Sequence, residues 1–195
     1  MTELPTGAGL YGDSAAINDA GEIVGEADAP DGQPSATLWR ERGGKWHTTF
    51  LGSLNIGDCA RAVSINSSTQ VVGVSGPFGC SNTLPFLWEA GGPMVDLNSL
   101  IPPSSGIQLV EAAQINDRGE IAAQGPDAIG NNHVVLLIPC DESHPGVEGC
   151  DYTLVDARTS PPSTAPRYIS SGTKRTPKSR WSNRYHMSGL QSLGR

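Results

Sequence analysis

Three tripeptides, Ile17-Asn18-Asp19, Ile65-Asn66-Ser67 and Ile115-Asn116-Asp117, recur along the 195 residues. A second landmark follows each at matching distance: Leu38-Trp39, Leu87-Trp88 and Leu136-Leu137. Two landmarks that hold phase over three copies define a repeat close to 49 residues long. A period of about 20–50 residues marks an array of small units, each too small to bury its own apolar face and each covered by its neighbours. This pattern constrains architecture more tightly than it constrains activity.

Within a unit the sequence reads as four short strands. Ser14 to Asn18 enters a turn over Asp19-Ala20-Gly21 and returns as Glu22 to Glu26. Asn and Asp bond their own backbone in such turns, and Gly takes the left-handed position that a three-residue loop requires. Asn116, Asp117 and Gly119 repeat the arrangement. In the middle copy Thr69 stands where Gly is wanted, and a β-branched residue is strained at positive φ. That turn is therefore expected to adopt another conformation. An apolar strand follows in each copy, Ala36–Trp39, Pro85–Trp88 and Val134–Ile138, and a fourth runs over Lys45–Leu51 and Pro93–Leu97. Four strands per unit, with Gly 24 and Pro 15 punctuating short apolar bursts, predict an all-β chain: a β-propeller-like array of about three four-stranded repeats. The repeats fall roughly at 4–50, 51–97 and 98–140, within a β-repeat domain over 1–156. Closed propellers have about four to eight blades, so three units form an incomplete ring with open sheet edges that invite self-association.

The phrases Ala16 to Gly25 (AINDAGEIVG), Phe86 to Glu89 (FLWE) and Val95 to Pro103 (VDLNSLIPP) resemble the HAF repeats of bacterial extracellular proteins. The likeness spans about residues 4–140. The family takes its name from a His-Ala-Phe tripeptide before Leu-Trp or Leu-Leu; here only His133 keeps its first letter and only Phe86 its third. Asp96 to Pro139 resembles the closing repeat of such proteins, with its Pro-Pro-Ser-Ser-Gly insert. The resemblance implies a secreted, propeller-like array and brings no catalytic residues with it.

The four cysteines form two local pairs, Cys59 with Cys80 and Cys140 with Cys150. An even count in a Gly-rich β pattern reads as two disulfides and an oxidising compartment. Neither pair has zinc-ligand spacing, and no metal or cofactor is expected. Leu4 to Gly7 corresponds to Leu51 to Leu54, so the chain starts inside a repeat. The expected reading is a truncated N-terminus, with the signal peptide and further repeats lying upstream. Nothing approaches the length of a membrane-spanning apolar helix.

Charge is distributed unevenly. Residues 1–156 hold all 20 acidic groups and 5 of the 13 basic ones, a balance of −15, while 157–195 hold 8 basic groups and no acid. Proline, serine and positive charge without apolar periodicity mark 157–195 as a disordered tail. It is a solvated extension, an adhesive segment for an anionic surface such as cell-envelope polymer, or a segment that folds back onto the acidic body; nucleic acid is not expected as a partner.

Candidate functional residues each have a structural counterpart reading. Asn18, Asp19 and Glu22, like Asn116, Asp117 and Glu120, suggest a calcium loop, but each copy offers too few oxygens at alternate positions and hairpin chemistry accounts for them. Trp39 and Trp88 suit sugar stacking or core packing, and their place on the most apolar strand favours the core. Trp46 does not recur and is the better ligand candidate. His47, His133, His144 and His186 are scattered, with no Gly-x-Ser-x-Gly elbow, against nucleophilic hydrolysis. The expected function is a secreted non-enzymatic module, structural or binding polysaccharide or another envelope polymer. The rival is a carbohydrate-active propeller enzyme, a polysaccharide lyase or hydrolase, and a third possibility is an intracellular regulator.

Overall fold

The structure, a computed structural model, describes residues 1–147 except 8, 10, 78, 79 and 90, and beyond them residue 150 and 185–188. The described residues are mostly β and form three four-stranded antiparallel sheets. The first holds β1 (Gly12–Ile17), β2 (Ile23–Asp28), β3 (Pro34–Arg42) and β4 (Lys45–Gly52) in chain order. The second holds β5 (Cys59–Ile65), β6 (Gln70–Gly76), β7 (Leu84–Glu89) and the two-residue β8 (Val95–Asp96). The third is built from β9 (Glu111–Ile115), β10 (Ile121–Pro126), β11 (Asn132–Pro139) and β12 (Tyr185–Ser188).

Each sheet begins with the same hairpin. Ile17 pairs with Ile23, Ile65 with Val71 and Ile115 with Ile121. One residue is bulged out of the first strand of each, between Ser14 and Ala16, Ala62 and Ser64, and Ala112 and Gln114. The bulge brings the first strand very close to the second. A Cβ at Gly25 would strike the Asp13 carbonyl, and one at Gly73 the Arg61 carbonyl. Glycine is thus required there by proximity alone.

Side chains alternate across the sheets, so each sheet presents one face backward and one forward along the array. Val24, Ala36 and Leu38 of the first sheet meet Ala62, Ile65, Val71, Phe86 and Trp88 of the second in one apolar core. Val72 and Leu87, on the opposite face of the second sheet, meet Ile115, Ile121, Val135 and Leu137 of the third in another. The first strand of each following sheet lies against the sheet before it: β5 against β1, β2 and β3, and β9 against β5, β6 and β7. Leu97, Leu100, Ile101, Ile107 and Leu109, from the connection around Pro102–Gly106, complete the second core. No closed propeller is present among the described residues. No described helix is long and apolar enough to cross a membrane.

Two expectations need revision. The Thr69 turn does not adopt a different conformation. Thr69 sits at φ 58°, beside 74° for Gly21 and 77° for Gly119, and its amide donates to the Asn66 carbonyl at 3.0 Å as the two glycines do to Asn18 and Asn116. Second, the segment 157–195 does not lie wholly outside the sheets. Tyr185–Ser188 pairs antiparallel with Leu136–Pro139 and is the fourth strand of the third sheet. The rest of that segment, expected to be disordered, lies outside the described residues.

Candidate functional site

The three Asn residues of the repeat organise both their own turns and the junctions between sheets. Asn18 Oδ1 accepts from the amides of Ala20 and Glu22 at 3.1 and 2.9 Å. Asn66 does the same for Ser68 and Gln70, and Asn116 for Arg118 and Glu120. Each Nδ2 donates to the side chain that closes its loop: Glu22, Gln70 or Glu120. The same Nδ2 then reaches forward. Asn18 donates to the Asn66 carbonyl at 3.0 Å, and Asn66 to the Asn116 carbonyl at 3.0 Å. Asp117 Oδ1 accepts from the Ser67 amide of the preceding turn at 2.8 Å, and that bond lowers the Asp117 pKa. The residues that resembled calcium ligands therefore form a ladder of turns. Among the described residues no group of three or more His, Cys, Asp or Glu is placed to hold a metal.

The loop-closing position differs in chemistry from sheet to sheet. Glu22 meets Arg40 and also accepts from Thr69 Oγ1 at 2.7 Å. Burial works to raise the Glu22 pKa, but the bonds from Thr69, Asn18 and Arg40, together with the Arg40 charge, outweigh it and hold the carboxyl below its ordinary value. Gln70 donates to Glu89. Glu120 lies 3.5 Å from Nε2 of His144, a buried ring whose Nδ1 is 2.7 Å from Asp141. Asp141 and His144 stand on the loop that Cys140 and Cys150 close, with their Cα atoms 5.3 Å apart. Cys59 and Cys80 are joined across 5.7 Å and fasten the start of β5 to the segment after β6.

An open cleft of about 500 Å³ lies where the Pro102–Gly106 connection passes the end of the third sheet. Its apolar wall is Leu84, Ile101, Pro102, Pro103 and Ile107, and its polar side chains are Asp96, Asn98, Ser105, Gln108 and Asp127. Asp96 and Asn98 pin the chain: Asp96 accepts from the Asn98 amide at 2.8 Å, and Asn98 exchanges two bonds with the Leu109 backbone at 2.8 and 3.0 Å. Asp127 is held by four donors. The amides of Ile129 and Asn131 reach Oδ1 at 3.0 and 2.9 Å, and Asn131 Nδ2 and His133 Nε2 reach Oδ2 at 3.1 and 3.0 Å. The His133 contact, joined by the Asn131 and Ile129 bonds, outweighs the burial that works to raise the pKa and holds Asp127 well below the ordinary carboxylate range. With two donors on each oxygen the carboxylate is saturated, and its role is to fix the 127–133 turn. General acid–base work calls instead for a pKa near the operating pH.

Asn18, Asp19, Gly21, Asn116, Asp117 and Gly119 all lie in the paired turns rather than in the cleft. Trp39 and Trp88 are buried, Trp39 donating from Nε1 to the Pro5 carbonyl at 2.7 Å. Trp46 is half-buried on β4 and His47 is exposed beside it. The Asp127–His133 pair escaped the sequence reading, although a signal was available. Asp127-Ala-Ile-Gly130 has the same spacing as Asn18-Asp-Ala-Gly21, and Gly130 likewise donates to the residue three before it. No family model, curated protein or solved structure matches this chain.

Proposed function

We propose that the chain is a non-enzymatic β-repeat protein of the cell exterior, built of propeller-like units, that binds a hydroxyl-rich polymer in the cleft beside the third sheet. The observation that carries this reading is the lining of that cleft: an apolar wall of Leu84, Ile101, Pro102, Pro103 and Ile107 stands beside the Asp96 carboxylate, the side chains of Asn98, Ser105 and Gln108, and the turn that Asp127 fixes. Fixed acceptors and amides beside an apolar wall suit the alternating hydroxyl and C–H surfaces of a polysaccharide or cell-envelope polymer. Two disulfides are compatible with an oxidising compartment, and the likeness to HAF repeats supports the same location.

A carbohydrate-active enzyme is the second reading, favoured by the presence of two carboxylates, Asp96 and Asp127, in one cleft. Retention of the purified chain on gels containing neutral and anionic polysaccharides separates the two. Binding that Asp127→Asn and Gln108→Ala weaken, with no new reducing ends or unsaturated products, supports the module. Release of such products, abolished by either Asp96→Asn or Asp127→Asn, supports the enzyme. Equal retention of wild type and both cleft variants removes the cleft from the account.

A further inference from the structure

We infer that the two ends of the stack are complementary, and that the open face of the third sheet docks the exposed first strand, β1, of a second copy of this chain. The inference is independent of what the cleft binds. It rests on comparing equivalent positions along the array. Leu38 and Leu87, which point forward, are 0% and 1% exposed because the following sheet covers them; Leu136, their equivalent, is 41% exposed. Beside it Val134 is 82% exposed, whereas Ala36 at the same position in the first sheet is fully buried. The backward face shows the mirror situation. Ile65 and Ile115 are 7% and 6% exposed beneath the preceding sheet, while Ile17 is 65% exposed. On the β3 side that face is already covered, with Thr37 and Trp39 buried and Trp39 bonded to the Pro5 carbonyl, so the uncovered part is β1 with Ile17, the strand whose counterparts β5 and β9 lie beneath a preceding sheet.

The polar ladder has the same direction. Asn18 donates to Asn66 and Asn66 to Asn116. Asn116 has a second Nδ2 proton with no acceptor among the described residues, and the Asn18 carbonyl receives only the Gly21 amide there. Setting a second copy's first sheet on the third continues both apolar core and ladder: Asn116 donates to the partner's Asn18 carbonyl, and the Asp117 amide faces the partner's Asp19 carboxylate as the Ser67 amide faces Asp117 within one chain. Such a contact is heterologous. It yields a ring where the rotation closes and a longer chain where it does not. Two copies in one circuit bring six sheets together, within the span of about four to eight at which radial arrays close.

Sedimentation of the purified full chain at tens of micromolar tests this. Association beyond the 20.4 kDa monomer is expected. Ile17→Asp and Leu136→Asp, both at exposed positions, should keep the wild-type circular dichroism and each weaken association about tenfold or more; Val134→Asp repeats the forward-face test. An equimolar mixture of Ile17→Asp and Leu136→Asp should recover a 1:1 dimer, since each copy retains one intact face. A wild-type monomer overturns the inference and indicates that another repeat or protein covers these faces. Association unchanged by either substitution, or a mixture that stays monomeric, also overturns it, the first by pointing to an isologous or edge contact.

Discussion

At φ 58° Thr69 occupies the backbone region that its two counterparts fill with glycine, at a cost of order 1 kcal/mol for a β-branched residue. Its hydroxyl gives something back by donating to Glu22 in the preceding sheet. Thr69→Ala removes that bond and keeps the strain, so a loss of about 1–2 kcal/mol is expected. Thr69→Gly removes both and should be nearly neutral. The pH dependence follows from Glu22. Its folded pKa is below the ordinary 4.5, so its contribution is complete above that value and is lost as pH falls through the folded one. Thr69→Ala should therefore shrink the loss of stability between pH 6 and pH 3, measured by urea midpoints; an unchanged acid slope would detach Thr69 from Glu22. Asn66 is the stronger case. It is buried, with both side-chain atoms engaged, whereas Asn116 is exposed and lies at the end of the ladder. Asn66→Ala should cost about 2–4 kcal/mol through stranded amides and a stranded carbonyl, against about 1 for Asn116→Ala. Equal costs would show that the bonds between turns contribute nothing.

The strands and their turns were legible because their signals are local: apolar alternation, and Asn with Gly three residues on. Other features depend on distant parts of the chain meeting. The bonds from Asn18 to Asn66 and from Asn66 to Asn116 span 48 and 50 residues, and nothing in one turn announces the next. His144 has a local partner in Asp141, three residues before it, and comes near Glu120 only because the disulfide loop reaches the third hairpin. Tyr185–Ser188 alternates apolar and polar residues over only four positions, a signal too short to set it apart in a polar, basic segment, yet it pairs with β11 through its backbone. Thr69 departs from its propensity because its hydroxyl has an acceptor, Glu22, that only the neighbouring sheet supplies. The bulge produces a prediction of its own kind. Gly73 has no room for a Cβ against the Arg61 carbonyl and the Phe86 ring, so Gly73→Ala should destabilise by about 1–3 kcal/mol through forced separation of β5 from β6. The third sheet carries Ala123 at that place, and its close approach moves to Gly125, against the Gln108 carbonyl. Ala123→Gly should thus cost no more than about 1 kcal/mol. Thermal melts of the two variants give the comparison, and a Gly73→Ala protein as stable as wild type would mean that the strands separate freely there.

Across the whole molecule, stability is the sum of what each sheet contributes and what each junction adds. The second sheet has a core on either face, with Val71, Phe86 and Trp88 in one and Val72 and Leu87 in the other. Its neighbours each have one such junction, and their outer faces expose Ile17 at one end and Val134 and Leu136 at the other. Opening either end sheet sacrifices one junction; opening the middle sheet sacrifices both. Amide exchange should report that difference directly, because local opening free energies run from near zero at fraying ends to the global value in the best-covered strands. Slowest exchange is expected for the β6 amides from Val71 to Val74, with equivalent positions of β2 and β10 faster by about tenfold or more. Reducing Cys59–Cys80, which closes a 21-residue separation at the start of that middle sheet, should lower its protection by about 2–4 kcal/mol on the loop-entropy account. Opening Cys140–Cys150 should act first on β11, whose end it anchors. Uniform exchange across the three sheets would mean that they unfold as one unit and that the junctions are stronger than the sheets they join.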